Sequence, residues 1–262
     1  MKKTALFITV MLLLSACGSV PLTGRRQMLL VSDAEVVSAS LTQYNEFIKT
    51  ATLSADKTKT ATVERVGKKI AAATEAYLRQ NGLESELANF AWEFKLVKDD
   101  QVNAFCMPGG KIVVYEGLMP LTASDDELAV VIGHEIAHAV AKHSNERMSQ
   151  EVLAQYGAAI LDAALSTKSE AIRSLGSTVF GLGAQLGVML PYSRQHEYEA
   201  DYLGMVFMTL AGYNPQSTVT FWQKMAAGGN AGTMELLSTH PTDANRIAEL
   251  QRRLPEMAAF RK

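Results

Sequence analysis

The sequence predicts an α+β fold that is mostly helical with one small β-sheet. Three observations carry this: apolar residues recur at helical spacing through Asp33 to Thr50 and Thr60 to Gln80, two-residue alternation marks Phe90 to Val97 as a strand, and Ser124 opens a sharply capped helix. With 262 residues, 48% hydrophobic and 20% charged, the chain suits one well-cored domain better than a disordered or modular one. A net charge of -2 and a pI near 6.2 provide no clustered basic surface, so no nucleic acid is expected as a partner.

At the N-terminus, Lys2 and Lys3 precede the apolar run Ala5 to Leu14, and small residues then lead to Cys17. This is the layout of an export signal, and the run is shorter than the ~20 residues a membrane-spanning helix needs. Leu14-Ser15-Ala16-Cys17 resembles the bacterial lipobox, where the signal is cut before a cysteine that then carries lipid. The expected organisation is a lipoprotein signal peptide over 1–16, a lipidated tether over 17–32 with Cys17 as the lipidation site, and one domain over 33–262. The tether, basic at Arg25-Arg26, is expected to carry little chemistry. Several acyl chains at ~0.8 kcal/mol per buried methylene would hold the protein at a membrane. With Cys17 lipidated, Cys106 has no disulfide partner and reads as a small buried hydrophobe.

In the second helix Val63, Val66, Ile70, Ala73 and Tyr77 form the apolar stripe, and Asn81-Gly82 ends it. Phe90, Trp92, Phe94 and Leu96 then alternate with Ala91, Glu93, Lys95 and Val97, as in a strand with one buried face. Gln101 to Tyr115 reads as extended chain around the Pro108-Gly109-Gly110 turn. The helix capped by Ser124, with Glu127 placed to reach back, is expected to run to about Met148. Gln150 to Leu190, rich in Ala, Gly and Leu, reads as a helical flap or packed hairpin. Further helices are expected from Arg194 to Leu210, after Asn214-Pro215, and from Thr242 to Leu254.

The chemistry concentrates in His134-Glu135-Ile136-Ala137-His138. Residues four apart on a helix differ by about 40° of rotation, so His134 and His138 can converge on one cation. Glu135, beside the first ligand, is placed to take a proton from water that zinc has acidified to a pKa of about 7. A catalytic zinc also needs a third protein ligand and an open position. His143 lies about 140° around a continuous helix from His138, which points to a supporting role instead of ligation. Downstream, Glu197 and Asp201 share one helix face, and spacing alone leaves two readings: a ligand with the carboxylate that orients a histidine, or an exposed acidic face. Glu199 points about 200° away from Glu197 and is expected to be solvated.

These residues resemble the gluzincin metallopeptidases that include HtpX, the CAAX prenyl endopeptidases and the BepA-like periplasmic proteases. The resemblance spans Asn103 to Ile247. It rests on Asn103-Ala104-Phe105 with Pro108-Gly109-Gly110, on the HExxH helix, on Glu197-x-x-Ala200-Asp201, and on His240-Pro241 followed by Arg246-Ile247. It implies a zincin-type domain holding one Zn2+ per chain, with Glu197 as third ligand and Asp201 and Arg246 supporting the site. It also implies a cleft bordered by Asn103, Ala104 and Phe105, where an edge strand can bind unfolded or misfolded polypeptide by strand addition. His240 then either stabilises an oxyanion or occupies the open coordination position in a latent form. Gly18, which follows the lipidation site, is not the aspartate associated with inner-membrane retention, so the periplasmic face of the outer membrane is the expected location.

Overall fold

The computed structural model describes residues 17–164, 193–228, 235–240 and 244–261. The expected signal over 1–16 and the flap beyond residue 164 lie outside the described residues. The chain opens as a small antiparallel hairpin of β1 (Cys17–Ser19) and β2 (Arg26–Met28), with Gly18 opposite Gln27. The segment expected to be a bare tether is corrected here: Val20, Gln27 and Val31 are buried, and the Ser149 hydroxyl accepts from the Leu30 amide. Its apolar residues are too few for a periodic pattern, yet they seal one side of the core.

Helix α1 (Asp33–Thr50) starts at a full capping box, in which Ser32 accepts from the Glu35 amide and Glu35 reaches back to the Ser32 amide. Helix α2 (Lys57–Gln80) begins one turn before its apolar stripe because Asp56 accepts from the Thr58 and Lys59 amides. It buries Val63, Val66, Ile70 and Leu78 and ends at Gly82, whose φ of 72° permits the reversal.

Three strands follow: β3 (Glu93–Val97), β4 (Ala104–Met107) and β5 (Lys111–Tyr115), in spatial order β3-β5-β4. β3 runs parallel to β5, and β4 runs antiparallel to it across the Pro108–Gly110 turn. The strand starts later than the alternation suggested, since Phe90 and Trp92 stack face to face just ahead of it. Pleating sends Phe94, Leu96, Ala104, Cys106, Ile112 and Val114 into the main core with α2. The opposite faces of the strands, Phe105, Met107, Val113 and Tyr115, pack under α1.

Helix α3 (Asp125–Val140) is capped by Ser124, while Glu127 accepts from the Ala123 amide. It does not continue to Met148. Lys142 adopts a left-handed backbone, φ 57°, and α4 (His143–Ala164) departs in a new direction. The Lys142 ammonium lies 2.7 Å from both Asp33 and Glu86, and these ion pairs offset the cost of that conformation.

The remaining described helices are α5 (Arg194–Leu210), α6 (Gln216–Gly228), α7 (Glu235–Thr239) and α8 (Ala244–Arg253). α5 has the bounds expected of it; Ser193 caps it and Gly212 closes it. α3 lies along α5, and a Cβ on Gly204 would sit 2.8 Å from the His134 amide nitrogen. The two backbones touch there. Among the described residues no helix is long and apolar enough to cross a membrane.

Candidate metal centre

The α3–α5 crossing brings together side chains far apart in sequence. α3 presents His134 and His138, α5 presents Glu197 and Asp201, and the end of α7 delivers His240, all buried. One donor atom from each of His134, His138, Glu197 and His240 falls within a 4.8 Å cluster. Nε2 of His134 lies 3.0 Å from Nε2 of His138 and 3.1 Å from Nδ1 of His240. The Glu197 carboxylate reaches His134 at 3.3 Å, His138 at 3.4 Å and His240 at 3.0 Å.

What lies behind these donors sets their tautomers. Nδ1 of His134 is 3.0 Å from the Asp201 carboxylate, which accepts its hydrogen and leaves Nε2 as a lone pair facing the cluster. Arg246, almost fully buried, donates to both Asp201 oxygens, to the His240 carbonyl and, at 2.9 Å, pairs with Glu197. Its guanidinium stacks 4.1 Å over the Trp222 ring. Burial pushes the Glu197 carboxyl up, but its neighbours His240, Arg246 and His134 outweigh it and hold Glu197 well below the usual range. Asp201 is lowered in the same way, against burial, mainly by Arg246.

Histidine lone pairs and a carboxylate gathered in one dry space repel unless a cation or proton lies among them. The set of imidazole and carboxylate donors fits zinc, which takes N and O ligands in fours. Glu135 is buried beside this set, with one oxygen 3.4 Å from Nε2 of His240 and a backbone hydrogen bond from Cys106 on β4. Burial raises its pKa above the usual carboxylate value.

Of the predicted cleft residues, Asn103 accepts from the Tyr115 amide through its carbonyl, Ala104 packs into the main core, and the Phe105 ring packs edge-on to Phe47. β4 is nonetheless an edge strand, and just before it the Val102 carbonyl accepts from the Leu236 amide of α7. Cys106 is buried with its thiol pKa pushed well up by burial and by Glu135, as befits a packing residue.

Glu199 is not solvated, correcting the expectation from its angular position. It is buried between α5 and the N-terminal hairpin, where Thr23, Arg25 and His143 all bond to it. The helix break at Lys142 also overturns the angle assigned to His143, whose Nδ1 comes within 2.9 Å of Nδ1 of His138. Burial lowers the His143 pKa to about 4. Neither Arg25 nor Trp222 had a local sequence signal that connected it to the site.

The pattern of peptidase family M48 matches residues 57–254. The chain belongs to that family. It is similar to the mitochondrial metalloendopeptidase OMA1 of Schizosaccharomyces pombe, 35% identical over 187 residues, which cover 68% of this chain and 51% of that protein. The OMA1 of Saccharomyces cerevisiae is 34% identical over 180 residues, covering 66% and 50%. The β-barrel assembly-enhancing protease of Escherichia coli is 28% identical over 175 residues, covering 63% and 35%. The chain thus spans about half or less of the length of these relatives. Membership in M48 agrees with the gluzincin resemblance and with the mostly helical α+β fold, and the buried donor cluster falls inside the matched span.

Proposed function

We propose that this M48 chain is a zinc-dependent endopeptidase in which His134, His138 and Glu197 hold the metal and Glu135 is the general base. The convergence of these donors beside a buried glutamate carries the reading. Zinc held there supplies a Lewis acid that acidifies water and polarises a peptide carbonyl. Glu135 takes the proton of the attacking water and passes it to the leaving amine. Asp201 and Arg246 fix the ring of His134. The edge of β4, with Asn103, Ala104 and Phe105, aligns an unfolded chain through main-chain hydrogen bonds.

The substrates we assign are misfolded or unassembled envelope proteins, met by a lipoprotein anchored through Cys17 at the periplasmic face of the outer membrane. The lipobox-like segment supports the anchor. Similarity to β-barrel assembly-enhancing proteases of Escherichia coli and Yersinia pestis supports the compartment.

A second reading is favoured by one observation: His240 stands within the donor cluster, giving four protein donors where a catalytic zinc keeps one position open. On that reading the protein is a scaffold or chaperone-like lipoprotein with a blocked zinc. Casein cleavage by the wild type, Glu135→Gln and His240→Ala, with bound zinc quantified in each, separates the two. The peptidase reading expects Glu135→Gln to keep zinc and lose 10²–10⁴-fold in rate. A wild type and a His240→Ala variant that both hold zinc and leave casein intact would establish the scaffold. If His240 is a removable fourth ligand, His240→Ala is faster than wild type; if it stabilises the oxyanion, slower.

A further inference from the structure

We propose that Arg25 of the N-terminal hairpin, acting through Glu199 and His143, is a positioning residue for the metal ligand His138. The inference rests on the reading of His138 as a ligand and extends the site to a segment outside the span matched by the family.

The direction of each hydrogen bond follows from its end. Glu199 receives Arg25 Nε at 2.7 Å and the Thr23 hydroxyl, so it is a fixed carboxylate acceptor. Nε2 of His143 lies 3.1 Å from that carboxylate and must carry the hydrogen. In a neutral ring Nδ1 of His143 is then an acceptor, and the group facing it, 2.9 Å away, is Nδ1 of His138. Nδ1 of His138 therefore donates, which leaves its Nε2 as a lone pair directed into the donor cluster. A carboxylate behind a histidine ligand is the usual way to set tautomer and ring angle. Here one imidazole is interposed.

The arrangement repeats what stands behind the other histidine. His134 is backed by Asp201, and Asp201 is held by Arg246; His138 is backed by His143 and Glu199, and Glu199 is held by Arg25. Arg25 is itself fixed by Glu146 on α4, with N–H groups at 2.6 and 3.0 Å from the two carboxylate oxygens. His143 is held flat by stacking on His196, with ring centroids 4.4 Å apart. Removing Arg25 leaves Glu199 with only Thr23 and His143 as partners and Glu146 with His196, which loosens the carboxylate that orients His143.

The test uses the full chain and zinc itself. Zinc affinity is measured by chelator competition for wild type, Arg25→Met, His143→Leu, Glu199→Gln and His138→Ala, alongside the visible spectrum of the Co2+-loaded proteins and melting of the metal-free ones. The expected result is a 10–100-fold loss of zinc affinity in His143→Leu. Arg25→Met should lose about tenfold, the low end of that range. Both should also show altered Co2+ bands. Wild-type affinity and Co2+ bands in folded Arg25→Met and His143→Leu would overturn the proposal. Should either fail to melt cooperatively, the isosteric Glu199→Gln decides by the same two readings. Wild-type affinity in His138→Ala would instead remove the ligand assignment, a failure distinct from that of the relay.

Discussion

Gly204→Ala tests whether the α3–α5 backbone contact sets the metal centre. The added methyl would lie 2.8 Å from the His134 amide nitrogen, 2.9 Å from the Gly133 carbonyl carbon and 3.0 Å from the His134 Cα. All three are backbone atoms, so no side chain can swing aside. Reaching ordinary contact at 3.4 Å requires the helices to part by about 0.6 Å. Overpacking of this kind costs typically 1–3 kcal/mol, and a rigid neighbour places it near the top of that range. Alanine recovers about 1 kcal/mol of helix propensity, leaving a net loss of about 2 kcal/mol. For a domain of this size that is a fall in Tm of about 4–8 °C. The same movement draws His134 away from Asp201 and Glu197, now 3.0 and 3.3 Å from it, so zinc affinity falls as well. Calorimetry of the metal-free protein and chelator competition for zinc give the two numbers. A variant with unchanged Tm and zinc affinity would refute the claim that this contact holds the ligands in register.

Arg246→Leu strands the Asp201 and Glu197 carboxylates in the core, and breaking a buried pair in this way costs about 3–5 kcal/mol. Urea denaturation should register that loss most strongly without metal, because zinc neutralises part of the same charge; a loss under about 1 kcal/mol would contradict the assigned role. Metal removal should itself lower Tm. At a free zinc concentration of 100 Kd, binding contributes about 2.7 kcal/mol, so chelation should drop Tm by about 5–11 °C, and no drop would argue against a native-state site. Glu146 is pulled down to about 2 by hydrogen bonds from His196 and Arg25, which outweigh the upward effect of burial. Its folded pKa is depressed, so its contribution is fully present above the unfolded value of 4.5 and lost as pH falls toward about 2. Arg25→Met should flatten the stability profile across that window, measured by urea titration at stepped pH; an unchanged profile would count against the Arg25–Glu146 pair.

The elements that could be read in advance were those whose determinants are local. The Ser124 cap, the stripe of α2 and the Gly109-Gly110 turn each lie within a few residues of what they specify. Spacing also placed His134 with His138 and Glu197 with Asp201. The failures share a different cause. Lys142 carries no breaking signal, and its left-handed backbone is sustained by Asp33 at the start of α1 and by Glu86 in the 3-10 turn Glu84–Asn89 that follows α2. Without that break, the angular argument sends His143 away from His138. The burial of Glu199 has no local signal, because the group that covers it, Arg25, is 174 residues distant. A helical wheel reports which residues share a face; it does not report what covers the face.

One feature of α5 was nevertheless present in its spacing. Glu197, Asp201 and Gly204 stand at positions 0, 4 and 7, which places Asp201 about 40° to one side of Glu197 and Gly204 about 20° to the other. The ligand candidate, its partner carboxylate and the site of closest approach therefore lie on one stripe, and Gly133 on α3 directly precedes His134. Gly204 on the metal-facing stripe of α5 meets the α3 backbone at Gly133 and His134, so the two backbones touch where the ligands must converge. A larger residue at either glycine would hold the helices further apart, and the short carboxylate of Asp201 would no longer reach the His134 ring. The choice of Asp over Glu at 201 and of Gly at 133 and 204 is thus one constraint: the reach of a side chain is matched to the distance between two backbones.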